Sequence, residues 1–136
     1  MLKELEPIIK SEEEGEQSNE TVKKIVGSTI VSTVEQSHLF LMVYSPSCPH
    51  CDKLKPVWAN LGSEFANIDV TIGKLDNTLN DIPVSLELEV TGVPTLAFFK
   101  RGSIKAVVHE GPRSISGLRT FLKKQLADVA DETQEL

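Results

Sequence analysis

The chain has little of what several common kinds of functional site require. Its 136 residues contain two cysteines, too few for a zinc site built from two cysteine pairs. One tryptophan, one tyrosine and five phenylalanines leave few aromatic platforms for stacking bases. The longest apolar run, Leu39 to Tyr44, is much shorter than the roughly 20 residues of a membrane-spanning helix and suits a buried strand. These shortages predict no nucleic-acid partner and no membrane partner.

Negative charge is concentrated at the two ends of the chain. Residues 1–21 carry seven acidic and two basic side chains, and residues 128–136 carry four acidic and no basic ones. Residues 22–127 hold nine acids and twelve bases, so the two ends of the chain account for its negative net charge of −6. Pro7 and Gly15 interrupt the acidic start, which does not read as a signal peptide. We therefore expect an acidic linker over 1–21, one folded domain over 22–127 and an acidic tail over 128–136.

Hydrophobic periodicity predicts alternating strands and helices within that domain. The apolar share of 40% is enough for a core that needs no disulfide staple. A proline inside the helix that follows the cysteines, Pro56, should kink it, and Ile68, Val70 and Ile72 should share one face of the next strand. The predicted elements, in order, are a strand at 22–26, a helix at 28–37, a strand at 39–44, a helix after Cys48, a strand at 68–76, a short helical turn within 80–90, strands at 94–100 and 103–109 forming a hairpin, and a helix at 114–129.

This order predicts an α/β fold with a central mixed five-stranded sheet and helices on both faces. Alternating strands and helices favour a parallel core, and the hairpin around Arg101-Gly102 adds antiparallel strands. A helix from Lys3 to Lys10 is also compatible with the sequence, but it would need a partner surface.

Both cysteines lie in the segment Ser45-Pro46-Ser47-Cys48-Pro49-His50-Cys51, whose spacing suits a metal site or a redox pair. A structural zinc site needs four ligands. Here His38, His50 and His109 form no paired ligand motif with the cysteines, so only a site shared between subunits would remain. We predict no metal site.

A redox pair fits the local pattern better, because the two cysteines begin a helix directly after a buried strand. Free N–H groups and the helix dipole at that position favour the thiolate of Cys48. Pro49 suits the first helical position, and protonated His50 would add further stabilisation. Cys51, one turn into the helix and more buried, should stay protonated and attack a mixed disulfide formed at Cys48.

Several motifs together resemble the thioredoxin fold, and within it the C-terminal catalytic (a'-type) domain of protein disulfide isomerase. The resemblance covers Val22 to Ala127, and the acidic leader resembles the linker that precedes that domain. The motifs are "YSPSCPHC", Pro56 five residues after Cys51, "KLD" at Lys74–Asp76, "GVPT" at Gly92–Thr95, "FFKRG" at Phe98–Gly102, "CPHCDKLKPVW", and Gly111-Pro112-Arg113.

The resemblance implies specific roles for residues outside the cysteine motif. Pro94 should follow a cis peptide bond and face Cys48, and the Val93 backbone should pair with an extended substrate segment. Ser47 would contact substrate in place of the family's usual tryptophan. Arg113 matches a mobile arginine that helps the resolving cysteine ionise, although a plain surface arginine is an equally good interpretation.

The resemblance also implies a function. It predicts a thiol-disulfide oxidoreductase that forms, reduces and rearranges disulfides in folding secretory proteins. The redox group would be the Cys48–Cys51 disulfide itself, without another cofactor, with glutathione or an oxidase as electron partner. Unfolded or disulfide-containing proteins would be its substrates, and other domains of a larger chain are expected. Two alternatives stay open: a substrate-binding or chaperone module with weak redox activity, and a cytosolic thioredoxin-type reductase.

The expected compartment is the lumen of the endoplasmic reticulum. Asn19-Glu20-Thr21 is a glycosylation sequon, which is usable only in a secretory compartment. The terminal Glu135-Leu136 matches the end of a Lys-Asp-Glu-Leu retrieval signal.

The sequence departs from the family pattern close to the predicted site. Ser47 and Pro49 replace the usual tryptophan and glycine, and Cys-Pro-His-Cys occurs in a strongly oxidising bacterial relative, so we expect a more oxidising pair. Met42 stands where the family has a buried acid that exchanges protons with the resolving thiol, which predicts slower proton transfer at Cys51. Asp52 replaces a common lysine and opposes the thiolate weakly, since solvent screens it.

Overall fold

The computed structural model describes residues 9–15 and 21–134, with side chains to residue 130. The sequon at Asn19, Glu135-Leu136 and most of the possible helix from Lys3 to Lys10 lie outside the described residues. Within the described ranges the chain forms five strands and three helices. They are β1 (Val22–Lys24), α1 (Ile30–Gln36), β2 (Leu39–Tyr44), α2 (Pro49–Glu64), β3 (Thr71–Asp76), β4 (Thr95–Phe99), β5 (Ala106–Val108) and α3 (Ile115–Gln134).

The strands form one mixed sheet in the order β1-β3-β2-β4-β5. β1, β3 and β2 run parallel, whereas β4 is antiparallel to β2 and to β5. The tight turn of the β4–β5 hairpin contains Gly102 at φ +78°, a conformation that glycine adopts without a Cβ clash. The predicted mixed five-stranded sheet is therefore confirmed.

Strand β2 lies at the centre of the sheet and divides the core into two layers. Its side chains alternate, so Phe40 and Met42 face one layer while Leu41 and Val43 face the other. The first layer contains buried residues of α2 and α3, including Trp58. The second contains α1. Helices consequently cover both faces, as the sequence predicts.

The short helical turn predicted within residues 80–90 is wrong. No helix forms there: the Leu86 N–H donates to the Pro83 carbonyl at 3.0 Å to close a single non-helical turn, and Glu87 after it forms an isolated bridge with Lys105. Leu86, Leu88 and Val90 alternate toward the α1 layer with the period of two that extended backbone produces. Pro83 also disfavours helical backbone at the residue before it.

Two further boundaries differ from the sequence prediction. β3 begins at Thr71, and Ile68 lies before it with half of its surface exposed, so it does not share the buried face of Ile72. Helix α3 continues to Gln134, into the predicted acidic tail, because neither glycine nor proline interrupts it after Gly117. Helix α2 runs from Pro49 to Glu64 with Pro56 inside it.

Part of the acidic leader is attached to the domain. The Lys10 N–H donates to an Asp81 carboxylate oxygen at 2.8 Å, and the Asp81 N–H donates to the Lys10 carbonyl at 2.8 Å. The Glu12 N–H donates to Oδ1 of the fully buried Asn80 at 2.8 Å. Glu12 also pairs with Lys24 at 2.6 Å, and this interaction lowers the pKa of the Glu12 carboxyl. The division into linker, domain and tail stays a prediction, but residues 10–12 lie against the fold.

Candidate redox site

The cysteine motif connects the buried end of β2 to the start of α2. The Cys48 N–H donates to the Ser45 carbonyl at 3.2 Å, which closes a turn after the strand. Cys48 is the N-cap residue of α2, and Pro49 is the first helical residue, as predicted. A proline suits that position because a first-turn N–H would have no partner within the helix. The local sequence thus fixes where the helix begins.

The two thiols lie one helical turn apart in different surroundings. The Cys48 sulfur accepts a hydrogen bond from the Cys51 N–H at 3.1 Å, so it caps the helix in the manner of a serine hydroxyl. Cys48 is partly exposed, whereas Cys51 is fully buried, and both are free thiols in the structure. A substrate therefore has access to Cys48 first.

Burial raises the pKa of the Cys51 thiol. Its hydrogen bond with Cys48 raises this pKa further, and a backbone hydrogen bond from Ser45 acts in the opposite direction. The protonated form is favoured because a thiolate loses its hydration when it is buried. This agrees with the sequence prediction that Cys51 stays protonated in the resting site.

The loop before β4 lies beside Cys48. The Val93–Pro94 peptide bond is cis, which confirms that prediction, and Pro94 is buried. The Cys48 S–H donates to the Val93 carbonyl at 3.8 Å. Val93 is only half-buried, so its backbone lies at the edge of the site.

The structure brings three other predicted site residues close to the helix start. Ser47 is exposed, and its hydroxyl lies 3.1 Å from that of Ser45. His50 and Arg113 are exposed and line one small pocket together with Lys53 and Leu54. Among the interactions of the described residues, Arg113 has no hydrogen bond to Cys51. Lys53 is not among the residues predicted from the sequence, although its i,i+3 spacing from His50 places both on one side of α2.

Met42 lies beneath α2 in the first core layer. It is buried, and its register partners are Lys74 on β3 and Leu96 on β4. A hollow of about 470 Å³ is lined by Met42, Lys74, Lys55 and Trp58, among others. The position of the family's buried acid is therefore occupied by a thioether next to a half-buried lysine.

Residues 9–15 and 21–134 contain no cluster of three histidine, cysteine or acidic side chains able to hold a metal ion. No helix within them is both long and apolar enough to cross a bilayer.

The fold and the cysteine motif at a strand-to-helix junction define a class of protein, and sequence comparison identifies it. The thioredoxin family profile matches residues 16–124, so the chain belongs to the thioredoxin family. Its homologues include the protein disulfide-isomerase of Medicago sativa, 36% identical over 135 residues and 97% of this chain. The protein disulfide-isomerase of Triticum aestivum is 40% identical over 126 residues and 88% of this chain. The chain spans about a quarter of these relatives, 26% and 23% of their lengths.

Solved structures with the same fold include single thioredoxin domains and fragments of larger proteins. The first thioredoxin domain of mouse protein disulfide-isomerase A4 has a TM-score of 0.65 at 22% identity, covering 86% of this chain and 79% of that one. The J-Trx1 fragment of ERdj5 also has a TM-score of 0.65 at 22% identity, covering 79% and 52% respectively. At these identities the likeness shows the thioredoxin fold.

Proposed function

We propose that this domain is a thiol-disulfide oxidoreductase that forms, reduces and rearranges disulfide bonds in folding secretory proteins. The observation that supports it most strongly is the asymmetric pair at the start of α2, an accessible Cys48 next to a buried Cys51. The protein disulfide-isomerase homologues support the same chemistry.

In the reducing direction, the Cys48 thiolate attacks one sulfur of a substrate disulfide, and the other sulfur leaves as a thiolate. The Cys51 thiolate then attacks the Cys48 sulfur, which releases the second substrate sulfur as a thiolate and forms the Cys48–Cys51 disulfide. Two electrons pass to the substrate. In the oxidising direction the steps reverse, and oxidised glutathione (the disulfide) or an oxidase accepts the two electrons from the reduced pair.

The remaining site residues would position the substrate and adjust the thiols. An extended substrate segment would pair with the Val93 backbone beside Pro94, where backbone bonding makes little demand on sequence. Ser47 would border this segment. His50, Pro49 and the helix start would stabilise the Cys48 thiolate, and Arg113 would assist ionisation of Cys51 when its side chain approaches that thiol.

The proposed setting is the lumen of the endoplasmic reticulum, with this domain as one part of a longer chain. Homologues about four times as long, carrying the protein disulfide-isomerase name, support both points. Unfolded or disulfide-containing polypeptides would be the substrates.

The direct test is the refolding of ribonuclease with scrambled disulfides. Wild type should restore ribonuclease activity, and Cys48→Ser should abolish the gain because no first nucleophile remains. Cys51→Ser should accumulate covalent complexes with ribonuclease. The control variant Ser63→Ala, which changes an exposed residue late in α2, should not accumulate them. Full activity of Cys48→Ser would contradict the proposal.

A second candidate function is favoured by one surface. A groove of about 840 Å³ beside the β3–β4 connection is lined by Ile9, Val31, Ile82, Val84, Leu88 and Val90, among others. Val84 is 92% exposed. Such a surface suits binding of unfolded apolar chains without redox chemistry. This binding module would be favoured by two results together. Cys48→Ser would suppress the aggregation of unfolded chains as well as wild type does, and wild type would show no disulfide exchange.

A further inference from the structure

A small pocket beside the redox pair is surrounded by basic side chains. His50, Lys53 and Arg113, with Leu54, line a space of about 160 Å³. His50 and Lys53 lie on the first two turns of α2, and Arg113 lies in the loop before α3. All three are exposed, whereas Leu54 is buried and forms an apolar floor.

Nearby acids do not neutralise this pocket. Asp52 lies about 160° around α2 from His50, at about 100° per residue, and pairs with Lys55 at 3.3 Å on that opposite side. Glu110, in the same loop as Arg113, lines a different hollow. In the part of the chain that the structure describes, the ion pairs involve neither Lys53 nor Arg113. The pocket therefore keeps its positive charge.

The loop that carries Arg113 is held in place by contacts outside the redox pair. His109 Nε2 lies 2.8 Å from the Pro112 carbonyl oxygen, and the His109 ring packs edge-on against Phe121 with centroids 4.8 Å apart. A Cβ on Gly117 would lie 2.6 Å from the same Pro112 oxygen, so only glycine lets α3 approach this closely. These contacts pack the loop against α3.

We propose that the pocket formed by His50, Lys53 and Arg113 is a carboxylate subsite that selects polypeptide substrates with an acidic residue near the reacting cysteine. The subsite begins two residues after the nucleophile, within reach of the flank of a bound chain. Arginine suits a carboxylate because two N–H groups can donate in parallel. The helix start adds its partial positive charge. This proposal rests on the proposed function and names the substrate class of the same site.

The expected preference is modest because the three groups are exposed. Because each exposed charge pair contributes little, two or three such pairs together should favour an acidic over a basic flank by about tenfold in kcat/KM. The test uses three peptide disulfides that differ at one position only. The residue two positions from the cysteine is Glu in the first, Gln in the second and Lys in the third. Reduced wild-type protein should reduce the Glu peptide with the highest kcat/KM, the Gln peptide with a lower one and the Lys peptide with the lowest.

The matched variants are Lys53→Glu and Lys124→Glu, which change the net charge equally. Lys124 lies on α3 and pairs with Asp128, away from the pocket. Lys53→Glu should bring the Glu-to-Lys rate ratio to one or below, while Lys124→Glu should leave it near the wild-type value. An equal shift in both variants, or an unchanged ratio in Lys53→Glu, would overturn the proposal.

Two further measurements separate this proposal from its alternatives. Lys53→Glu should lower the rate of reduction of oxidised glutathione less than it lowers that of the Glu peptide. An equal or larger fall in the glutathione rate would assign the pocket to glutathione instead. A cysteine-free Glu peptide should also shift the NMR signals of His50 and Lys53 more than its Gln counterpart does. That binding result does not depend on redox turnover, whereas failure to reduce the Gln peptide would count against the proposed function alone.

Discussion

The Cys48 sulfur caps helix α2 by accepting the N–H of Cys51 at 3.1 Å. The sulfur of the accessible thiol is thus bonded to the backbone of the residue that carries the buried one. Cys51 itself is buried, and burial raises its pKa. The proposed division of roles between the two thiols rests on this difference in access.

Release of a mixed disulfide should accelerate as pH rises. The raised pKa of Cys51 keeps its thiol protonated at neutral pH, so its thiolate fraction grows about tenfold per pH unit below that pKa. The lifetime of a Cys48-linked peptide complex, followed by quenched mass spectrometry from pH 6 to 9, should shorten accordingly. The complex of Cys51→Ser should persist throughout, and a flat wild-type profile would show that Cys51 ionisation does not limit release.

An acid restored at position 42 should speed the same step. Met42 is buried in register with Lys74, which would offset part of the cost of burying a carboxylate. Met42→Glu should raise the release rate at pH 7 about a hundredfold, the low end of what a positioned general base contributes. Met42→Gln has the same size without a titrating group and serves as the control. Equal release rates in the two variants would show that the missing acid does not matter.

The Cys48–Cys51 pair should be more oxidising than that of protein disulfide isomerase. Pro49 opens the helix directly after the nucleophile, which favours the reduced, thiolate form of the pair. Equilibration with glutathione should give a potential above about −180 mV, toward the roughly −120 mV of a strongly oxidising relative. Pro49→Gly should lower it, and a wild-type value below about −220 mV would refute this expectation.

Asn80 should matter for stability although it lies away from the redox site. Its fully buried amide accepts from the Glu12 and Gly27 N–H groups and donates to the Asp76 carbonyl. Asn80→Ala should lower the free energy of unfolding by about 1–3 kcal/mol, because buried partners lose their bonds. Urea titration would measure this, with the exposed Asn77→Ala as a control. A loss below about 0.5 kcal/mol would mean that the network contributes little.

The alternating pattern of the chain predicts most of the fold, because the helices bury one apolar stripe each and the central strand β2 buries apolar side chains on both faces. The same pattern fails at Leu86, Leu88 and Val90, where extended backbone bonds to distant segments. The motif around Cys48 similarly predicts the helix start and the burial of Cys51. The attachment of Lys10 to Asp81 and of Glu12 to Asn80 could not be predicted from the sequence, since these pairs lie 71 and 68 positions apart.

The central claim is that Cys48 attacks and Cys51 resolves. Reduced Cys51→Ser protein mixed with a peptide disulfide should gain the mass of one peptide, and tandem mass spectrometry should place it on Cys48. Reduced wild type should end as the Cys48–Cys51 disulfide with both peptide thiols released. Two results would contradict the account. One is that Cys51 of the Cys48→Ser variant gains the peptide as fast as Cys48 does in Cys51→Ser, and the other is that Cys51→Ser gains no peptide.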